Sequence, residues 1–465
     1  MRRVVLGLLA ASTAVVATGC VGLTGAVDAS ALDGGGVAGG RVAGGGSTGG
    51  GASGAGGSAG GGSGGGGATG GGGGTVSQEC ENGTAQCDSN ATCTDLVGGH
   101  RCSCVSGYSG DGATCTKVGD ASPAELAAKL GLPARLLVGT GGGAEAKDLL
   151  TQGLKVDIYE RYLPGLGSTD GWVNYNTPAG AYVNVVARAA ASVGAVPMYT
   201  LYMMASLSDG DISGVNTVDF MTEYWHDATI LFEQLRTYDK PTLVQFEPDF
   251  WGYAQLAQSD PTKLPVQVQI CADCSDLPND VTGFGRCLVR LARKRAPKAL
   301  VGFSPSPWGG ESQAAVVTFM SKVGVADGDF TVIQTLDRDS GCFESGTNAN
   351  CNRKGSGWYW DESNTTSPNF REHLAEAKAY YVGLKKPLVW WQTPMGAPST
   401  TPGGTTNHYR DNREHYFLTH PAELVAAGGL GVVFGRGEKS CTGLTTDNGQ
   451  FQSLSKAYFG SPEPL

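Results

Sequence analysis

From about residue 121 onward, short runs of apolar residues alternate along the chain with segments of helical period. Segments such as 221–238 and 370–386 carry their apolar residues on one helical face. The apolar runs, which have the length and composition of buried strands, start near Arg135, Leu154, Ala195, Thr242, Ala299, Asp329, Pro387 and Leu430. Strands that alternate with helices form parallel sheets, and eight such units predict a closed (β/α)8, or TIM, barrel over residues 121–465.

A doubly wound open sheet is the alternative to the barrel. Such sheets bind nucleotides through a glycine fingerprint after a strand, with an acidic residue further along the chain. None of the predicted strands is followed by this fingerprint. The glycine-rich run 139–143 lacks the Lys-Ser/Thr ending of a phosphate loop, and we expect it to form a tight exit from the first strand.

Polar and aromatic residues gather where the predicted strands end. In a barrel these ends meet at one rim, and that rim holds the active site. The candidate site residues are Glu160, Tyr202, Glu247, Asp249, Trp251, Trp308, Asp337, Asp339, Trp391, Gln392 and Arg436. Such a convergence of polar and aromatic side chains predicts a concave binding site.

Alternation along the fourth predicted strand, LVQFEPDFWGY, places Gln245, Glu247 and Asp249 on one face and apolar residues on the other. The apolar face of a barrel strand meets the helices, so we expect the polar face to point into the lumen and then out at the mouth. The same count puts Asp337 and Asp339 on one face of the sixth strand. A lone acid at a strand end is usually a loop cap or an ion-pair partner, but two strands that each carry two acids favour chemistry.

Acids on two strands that are separated by one strand face each other across roughly 6–10 Å. Hydrolysis of a glycosidic bond needs such a pair, in which one carboxyl protonates the leaving oxygen and the other attacks or activates water. We expect Glu247 to be the general acid and Asp337 the base or nucleophile. Asp249 and Asp339 would tune the pKa values of this pair or bind sugar hydroxyls.

Aromatic rings at the rim suit the same substrate class, because sugar rings present apolar C–H faces. We expect Trp251, Trp308 and Trp391 to form stacking walls. The other predicted substrate-binding residues are Gln392, Tyr202, Glu160 and Arg436.

Over residues 135–465 the chain resembles the glycoside-hydrolase type of TIM barrel at the level of architecture. In the largest clan of these enzymes the acid/base is a glutamate on strand 4 and the nucleophile a glutamate on strand 7. Glu247 matches the first position, whereas strand 7 ends in Trp390-Trp391-Gln392 and offers no carboxylate. The resemblance therefore implies glycan hydrolysis as a class. The candidates for the second carboxylate are Asp337, Asp339, Glu160 and Glu438.

A cluster of six cysteines lies within residues 80–115, a segment too small to be stable without disulfide bonds. The spacing, with Cys102-Ser-Cys104, then Gly107-Tyr108 and Cys115, resembles an EGF-like module, which we place at residues 77–116. The resemblance implies the pairs Cys80–Cys93, Cys87–Cys102 and Cys104–Cys115. A module of this kind is also a candidate contact for a protein partner.

Some EGF-like modules bind calcium, and Glu79 and Asp95 fit the positions of two of the ligands. However, Val76 and His100 stand where an Asp and a Tyr or Phe are usual. Calcium takes six or more oxygen ligands, so a missing carboxylate weakens such a site. We expect a structural module, with calcium binding as the weaker alternative and no other metal or cofactor.

The first 19 residues have a basic start, an apolar run and a small-residue end, which is the pattern of a secretion signal. Ala17-Thr18-Gly19-Cys20 resembles a bacterial lipobox, whose cysteine carries the lipids. Residues 20–76 are rich in glycine and predict a disordered linker. We therefore expect an exported lipoprotein, held at the outer membrane or cell surface through Cys20. The alternative is ordinary signal cleavage with an unpaired Cys20.

The chain has 13 cysteines, and lipidation of Cys20 leaves 12, an even number that can all pair in an oxidising compartment. Cys342–Cys351 is the most local pair beyond the module. The other cysteines in this region are Cys271, Cys274, Cys287 and Cys441, and their connectivity stays open.

The formal net charge of −10 argues against a nucleic-acid partner. Taken together, these patterns predict a surface-tethered enzyme that hydrolyses glycosidic bonds in a poly- or oligosaccharide. The alternative is a surface adhesion or carbohydrate-binding lipoprotein whose barrel has lost catalysis. The EGF-like module and the missing carboxylate on strand 7 favour that alternative.

Overall fold

The computed structural model describes residues 76–105, 108–110, 112–117, 121–208, 210–347, 349–353, 355–400 and 403–465. The predicted signal segment, the lipidation residue Cys20 and the linker up to residue 75 lie outside the described residues. Compactness separates the described chain into two units, residues 76–85 with 93–101 and residues 86–92 with 102–465. Within the described ranges, no helix is long and apolar enough to cross a membrane.

The cysteine-rich segment consists of short strands held by disulfide bonds. The strands are Ala91–Leu96, Gly99–Cys104, Tyr108–Gly110 and Cys115–Lys117, the last two of which pair in antiparallel fashion. The disulfide bonds Cys80–Cys93, Cys87–Cys102 and Cys104–Cys115 are all present. The predicted pairing is therefore confirmed.

The cysteines beyond residue 270 pair only in part. Cys342–Cys351 is bonded as predicted, and Cys274 bonds to Cys287. Cys271 and Cys441 are buried and free, so two of the 12 cysteines that could all have paired remain thiols. The sulfur of Cys271 lies within 4.8 Å of both sulfurs of the Cys274–Cys287 bond. Cys441 packs instead against the Cys342–Cys351 bond. The two thiols lie beside different bridges and do not meet.

The second unit contains eight parallel strands that close into a barrel in chain order. The strands are β1 Leu137–Thr140, β2 Ile158–Pro164, β3 Val196–Tyr202, β4 Thr242–Phe246, β5 Ala299–Phe303, β6 Phe330–Gln334, β7 Leu388–Pro394 and β8 Gly429–Gly435. Each coincides with one predicted apolar run, and the barrel is confirmed. Most of these strand residues are buried on both faces, which explains why the strands read as apolar runs.

Helices follow the strands and surround them. The α-helices of the described chain are α1 Pro123–Lys129, α2 Ala146–Thr151, α3 Tyr182–Ser192, α4 Val218–Tyr238, α5 Phe250–Ala257, α6 Val281–Arg295, α7 Gln313–Val323, α8 Ser340–Ser345, α9 Phe370–Leu384, α10 Arg413–Thr419, α11 Pro421–Ala426 and α12 Gln450–Gly460. The predicted helical segments 221–238 and 370–386 correspond to α4 and α9. α9 begins with a capping box formed by Asn369 and Glu372.

The barrel lumen has its own apolar core, separate from the core between strands and helices. Leu126 and Leu130 of α1 pack in this lumen core with side chains from every strand. The strand residues are Leu137, Ile158, Met198, Leu243, Leu300, Phe330, Val332, Val389, Trp391, Leu430 and Val433. Polar side chains line the lumen nearer the carboxyl ends of the strands, where the site lies.

Side chains alternate between the two faces of β4 and β6 only as far as the last residue of each strand. β4 ends at Phe246, and Glu247 and Asp249 have φ values of +41° and +71°, outside the extended range. β6 ends at Gln334, so Asp337 and Asp339 lie beyond it in the following segment. The prediction that Gln245, Glu247 and Asp249 share one strand face is wrong, as is the shared face of Asp337 and Asp339, because period-two alternation holds only for extended backbone.

Candidate active site

Glu160 is the carboxylate that β2 carries into the lumen. It is 1% exposed, and the hydroxyl of Thr200 on β3 donates a 2.6 Å hydrogen bond to its Oε1. Its Oε2 lies against the loop after β1, so that a Cβ built on Gly141 would come within 2.6 Å of this oxygen. Burial raises the pKa of Glu160, while the Thr200 hydrogen bond and the positive charge of Arg161 act in the opposite direction. Burial therefore makes the protonated form of this carboxyl more favourable than it is in water.

A small recess of about 20 Å³, the first recess, opens onto Glu160. Its walls include Tyr162, Trp391 and Gln392. The ring centroids of Tyr162 and Trp391 are 5.3 Å apart, and the side-chain amide of Gln392 donates to the Tyr162 hydroxyl. Gln392 has a φ of +50° and lies in an irregularity of the pairing between β7 and β8. This bulge brings its amide to the recess.

A second recess, of about 200 Å³, lies over the ends of β5 and β6. Trp308 forms one side of it and packs on Tyr253, with 4.7 Å between the ring centroids. The indole also lies over Gly252, where a Cβ would come within 2.5 Å of it. The polar side chains that line this recess are Asp249, Ser304, Ser306, Gln334 and Thr335.

Tyr202 connects the two recesses. Its ring meets the edge of Tyr162 with 5.9 Å between centroids, and its hydroxyl donates to Oδ2 of Asp249 at 3.3 Å. A second link is the amide of Gln334, which donates to Oε1 of Gln392 at 3.4 Å. The recesses therefore share a wall of aromatic rings and amides, with Glu160 in one and Asp249 in the other.

Glu247 is fully buried, and its carboxylate is bound by the fold itself. Oε1 accepts hydrogen bonds from the Tyr224 hydroxyl at 2.9 Å and from the Met203 amide at 3.1 Å. Oε2 accepts from the amides of Met203 and Met204 at 3.1 and 3.0 Å. Burial raises the pKa of Glu247 to about 7, against the effect of these donors. The carboxylate joins the segment after β3 to α4 and lines neither recess.

Asp337 and Asp339 also serve the loops rather than the recesses. Asp337 forms an ion pair with Arg338 and lies 3.5 Å from Arg353. Asp339 is fully buried and accepts a 2.7 Å hydrogen bond from the amide of Thr442. Burial, together with the negative charge of Asp411, holds the pKa of Asp339 well above its ordinary value. The structure does not bring Glu247 and Asp337 together at a recess.

Three of the predicted substrate-binding residues line neither recess: Tyr202, which lies between the two, Trp251 and Arg436. Trp251 is 1% exposed, donates its indole N–H to the Phe246 carbonyl at 2.9 Å and packs on Phe284. Its ring offers no face to a substrate, so its assignment as a stacking wall is wrong. The half-buried side chain of Arg436 lies over Gly143. Trp308, Trp391, Gln392, Tyr202, Glu160 and Asp249 are brought together at the mouth.

Some residues of the site were not among the predicted ones. Gln334 and Thr200 are polar positions within otherwise apolar strands, and that contrast was a usable signal. Gly141 lies so close to the Glu160 carboxyl that a Cβ there would come within 2.6 Å of it. Tyr253, in the first turn of α5, packs on Trp308. No linear pattern marks these last two, because their contacts depend on how the loops after β1 and β5 fold.

The family model described as EGF domain matches residues 80–115. This match agrees with the disulfide pairing of the segment and covers a small part of the chain. No curated protein sequence matches the chain.

Solved structures with a similar course of the chain include polysaccharide-degrading enzymes. An endo-beta-1,4-mannanase double mutant from Cellulomonas fimi has a TM-score of 0.45 at 12% identity, covering 74% of this chain and 76% of its own. A GH5 xyloglucanase from Bacteroides ovatus, in complex with a XXXG heptasaccharide, has a TM-score of 0.43 at 10% identity, covering 79% and 92%. Identities and TM-scores this low establish no family, and the barrel rests on its closed strand pairing.

The carboxylates predicted as calcium ligands are engaged within the cysteine-rich segment. Glu79 lies 2.7 Å from Nδ1 of His100. Asp95 accepts hydrogen bonds from the amide of Cys80 at 3.0 Å and from the hydroxyl of Ser77 at 3.1 Å. A calcium ion would have to displace these partners, so the residues present do not fit a calcium site, and calcium binding stays an untested prediction.

Proposed function

We propose that the barrel mouth hydrolyses glycosidic bonds, with Glu160 as the general acid and Asp249 as the base that activates water. The observation that supports this most is the buried carboxyl of Glu160, which lines the first recess, while Asp249 lines the neighbouring recess and accepts a hydrogen bond from Tyr202. A general acid must be protonated before it acts, and burial favours that form of Glu160.

The two oxygens of Glu160 have different surroundings. Oε1 accepts the hydrogen bond from Thr200, so the proton of the acid resides on Oε2. Oε2 adjoins Gly141, which lines the first recess, and a leaving-group oxygen seated there could receive the proton. Thr200 thus orients the acid while leaving its reactive oxygen toward the substrate.

The inverting reaction is the one that we propose for this pair of acids. Glu160 is on β2 and Asp249 follows β4, so one strand separates them, which is roughly 10 Å between backbones. Inverting enzymes keep their carboxyl groups far enough apart to hold a water molecule on the opposite face of the sugar. The hydroxyl of Tyr202 donates to Asp249 and holds it in position.

The walls of the mouth suit a carbohydrate. Trp391, Tyr162 and Trp308 offer apolar ring surface, while the amides of Gln334 and Gln392 offer both donors and acceptors. Sugars present this same combination of apolar C–H faces and hydroxyl groups. We propose a poly- or oligosaccharide substrate, met outside the cell by a protein tethered through Cys20, as the sequence predicts.

Carbohydrate binding without hydrolysis is the second candidate function. It is favoured by the exposure of Glu160, which is only 1%, because an acid so enclosed protonates a substrate only if the first recess admits the glycosidic oxygen.

Release of reducing sugar from a panel of plant, fungal and bacterial cell-wall polysaccharides tests these functions, combined with binding of the full chain to a glycan array. We expect release from at least one polysaccharide that also binds. Binding without release would support the second candidate, and neither binding nor release would contradict both.

A methyl group at Gly141 is expected to displace the carboxyl of Glu160. The Gly141→Ala variant puts this methyl 2.6 Å from Oε2, and a shift of about 1 Å in a reacting group costs roughly 10²-fold in rate. The flexible end of Glu160 moves in response, so the melting temperature should change little. In the control Gly142→Ala the new methyl meets nothing within 4 Å. Equal kcat values for the two variants would contradict the placement of Oε2.

A further inference from the structure

Gln245 is a buried amide without a hydrogen-bond partner. It is fully buried, and neither its side-chain oxygen nor its nitrogen has a partner within the described residues. A buried amide left in this state destabilises the folded protein. Proteins normally satisfy such groups, if not by other side chains then by ordered water.

The position of Gln245 in the barrel indicates what it faces. Its neighbours on β4, Val244 and Phe246, belong to the core between strands and helices, so Gln245 projects into the lumen. It pairs in register with Thr200, the residue whose hydroxyl donates to Glu160. In a barrel the side chains of alternate strands form one lumen layer, and the register places Glu160 of β2 and Gln245 of β4 in the same layer.

We propose that Gln245 is a positioning residue that holds an ordered water molecule between its amide and the carboxyl of Glu160. The amide oxygen of Gln245 accepts one hydrogen of this water, and the other hydrogen is donated to the carboxylate of Glu160. Thr200 lies beside both groups, which gives the water the polar partners that buried waters require. The inference rests on the proposed function only for what the Glu160 carboxyl does with its proton.

Such a water would limit how strongly burial favours the proton on Glu160. A donor to the charged form of a carboxyl lowers its pKa. The other groups that act on Glu160 come from three strands: Arg161 beside it on β2, the hydroxyl of Thr200 on β3 and the indole of Trp391 on β7. None of these groups is on β4. The water held by Gln245 would therefore donate a hydrogen bond to Glu160 from the direction of β4.

A crystal structure of the full chain at about 1.5 Å resolution tests the proposal without any substrate. We expect density for a water within about 2.7–3.2 Å of both the Gln245 amide and the Glu160 carboxyl. Absence of water at the amide, or a water that does not reach Glu160, would overturn the proposal.

A pH titration of tryptophan fluorescence gives a second readout, because Trp391 adjoins Glu160. Subtracting the titration of Glu160→Gln isolates the ionisation of Glu160. In Gln245→Met, which keeps the size but removes the polar atoms, we expect the midpoint to rise by about one pH unit. The control is Gln255→Met, which replaces another buried glutamine, on α5, and should leave the midpoint unchanged.

These experiments distinguish a failure of the proposed hydrolysis from a failure of the proposed role of Gln245. A bridging water and a shifted midpoint in a protein that releases no sugar would support the role of Gln245 and contradict hydrolysis. Sugar release together with an unchanged midpoint in Gln245→Met would overturn the role of Gln245 alone. If Gln245→Met does not fold, the crystal structure of the unmodified chain decides.

Discussion

Replacing Glu160 with glutamine is expected to lower kcat by about 10³-fold or more on any polysaccharide that the protein cleaves. Glutamine has the size of glutamate and can still accept the hydrogen bond from Thr200, but it cannot give a proton to a leaving group. Initial rates of reducing-sugar release by the purified variant measure this effect. A variant that keeps more than about a tenth of the kcat would contradict the assignment of the acid.

The melting temperature of Glu160→Gln shows whether the variant has lost catalysis alone or has also lost its fold. Because burial raises the pKa of Glu160 in the folded state, the folded protein binds its proton more tightly than the unfolded chain does. Stability from this group is therefore greatest below its unfolded pKa and falls as the pH rises through the folded pKa. Glu160→Gln should melt no lower than the unmodified protein at pH 7. Glu438→Gln, which alters a rim acid paired with Arg338, serves as the control and should retain activity.

Removing Arg413 is expected to lower the free energy of unfolding by about 3–5 kcal/mol. The side chains of Arg413 and Asp411 are both 0% exposed and lie 2.8 Å apart. Arg413 also donates to the Ser340 hydroxyl at 2.7 Å and to the Trp358 carbonyl at 2.9 Å, which joins the segments after β6 and β7. The Arg413→Met variant keeps most of the volume but leaves the charge of Asp411 buried and uncompensated.

Urea denaturation at pH 7 measures the cost, with Arg371→Met as the matched control. Arg371 forms a 3.2 Å ion pair with Glu423 and is 68% exposed, so its loss should cost less than about 1 kcal/mol. If the free energy of unfolding fell no more in Arg413→Met than in this control, the buried ion pair would contribute little to holding the rim loops.

The barrel could be predicted from the sequence because its strands are buried on both faces. Runs such as 242–246 and 299–303 are apolar or uncharged throughout, and the amphipathic segments between them have a different period. The disulfide pairing of the cysteine-rich segment was implied by its resemblance to an EGF-like module. These features depend on short stretches of chain or on burial, both of which a sequence records directly.

The site was only partly predictable, because it depends on where the chain leaves the strands. Glu247 and Asp249 take positive φ values directly after β4, and counting alternate residues through such a turn gives the wrong face. The donors that occupy the carboxylate of Glu247 come from the segment after β3 and from α4, and they cannot be read from its own neighbours. Glu160 lies within β2, where alternation holds, and its place in the lumen agrees with the pattern.

The anomeric form of the first product, followed by NMR during hydrolysis, tests the central claim most directly. In the proposed reaction Glu160 protonates the leaving oxygen and Asp249 activates a water on the opposite face of the sugar, so the newly released sugar should carry the inverted configuration before mutarotation. A product that retains the configuration of the substrate would require a nucleophile in contact with the sugar and would contradict the pairing of Glu160 with Asp249.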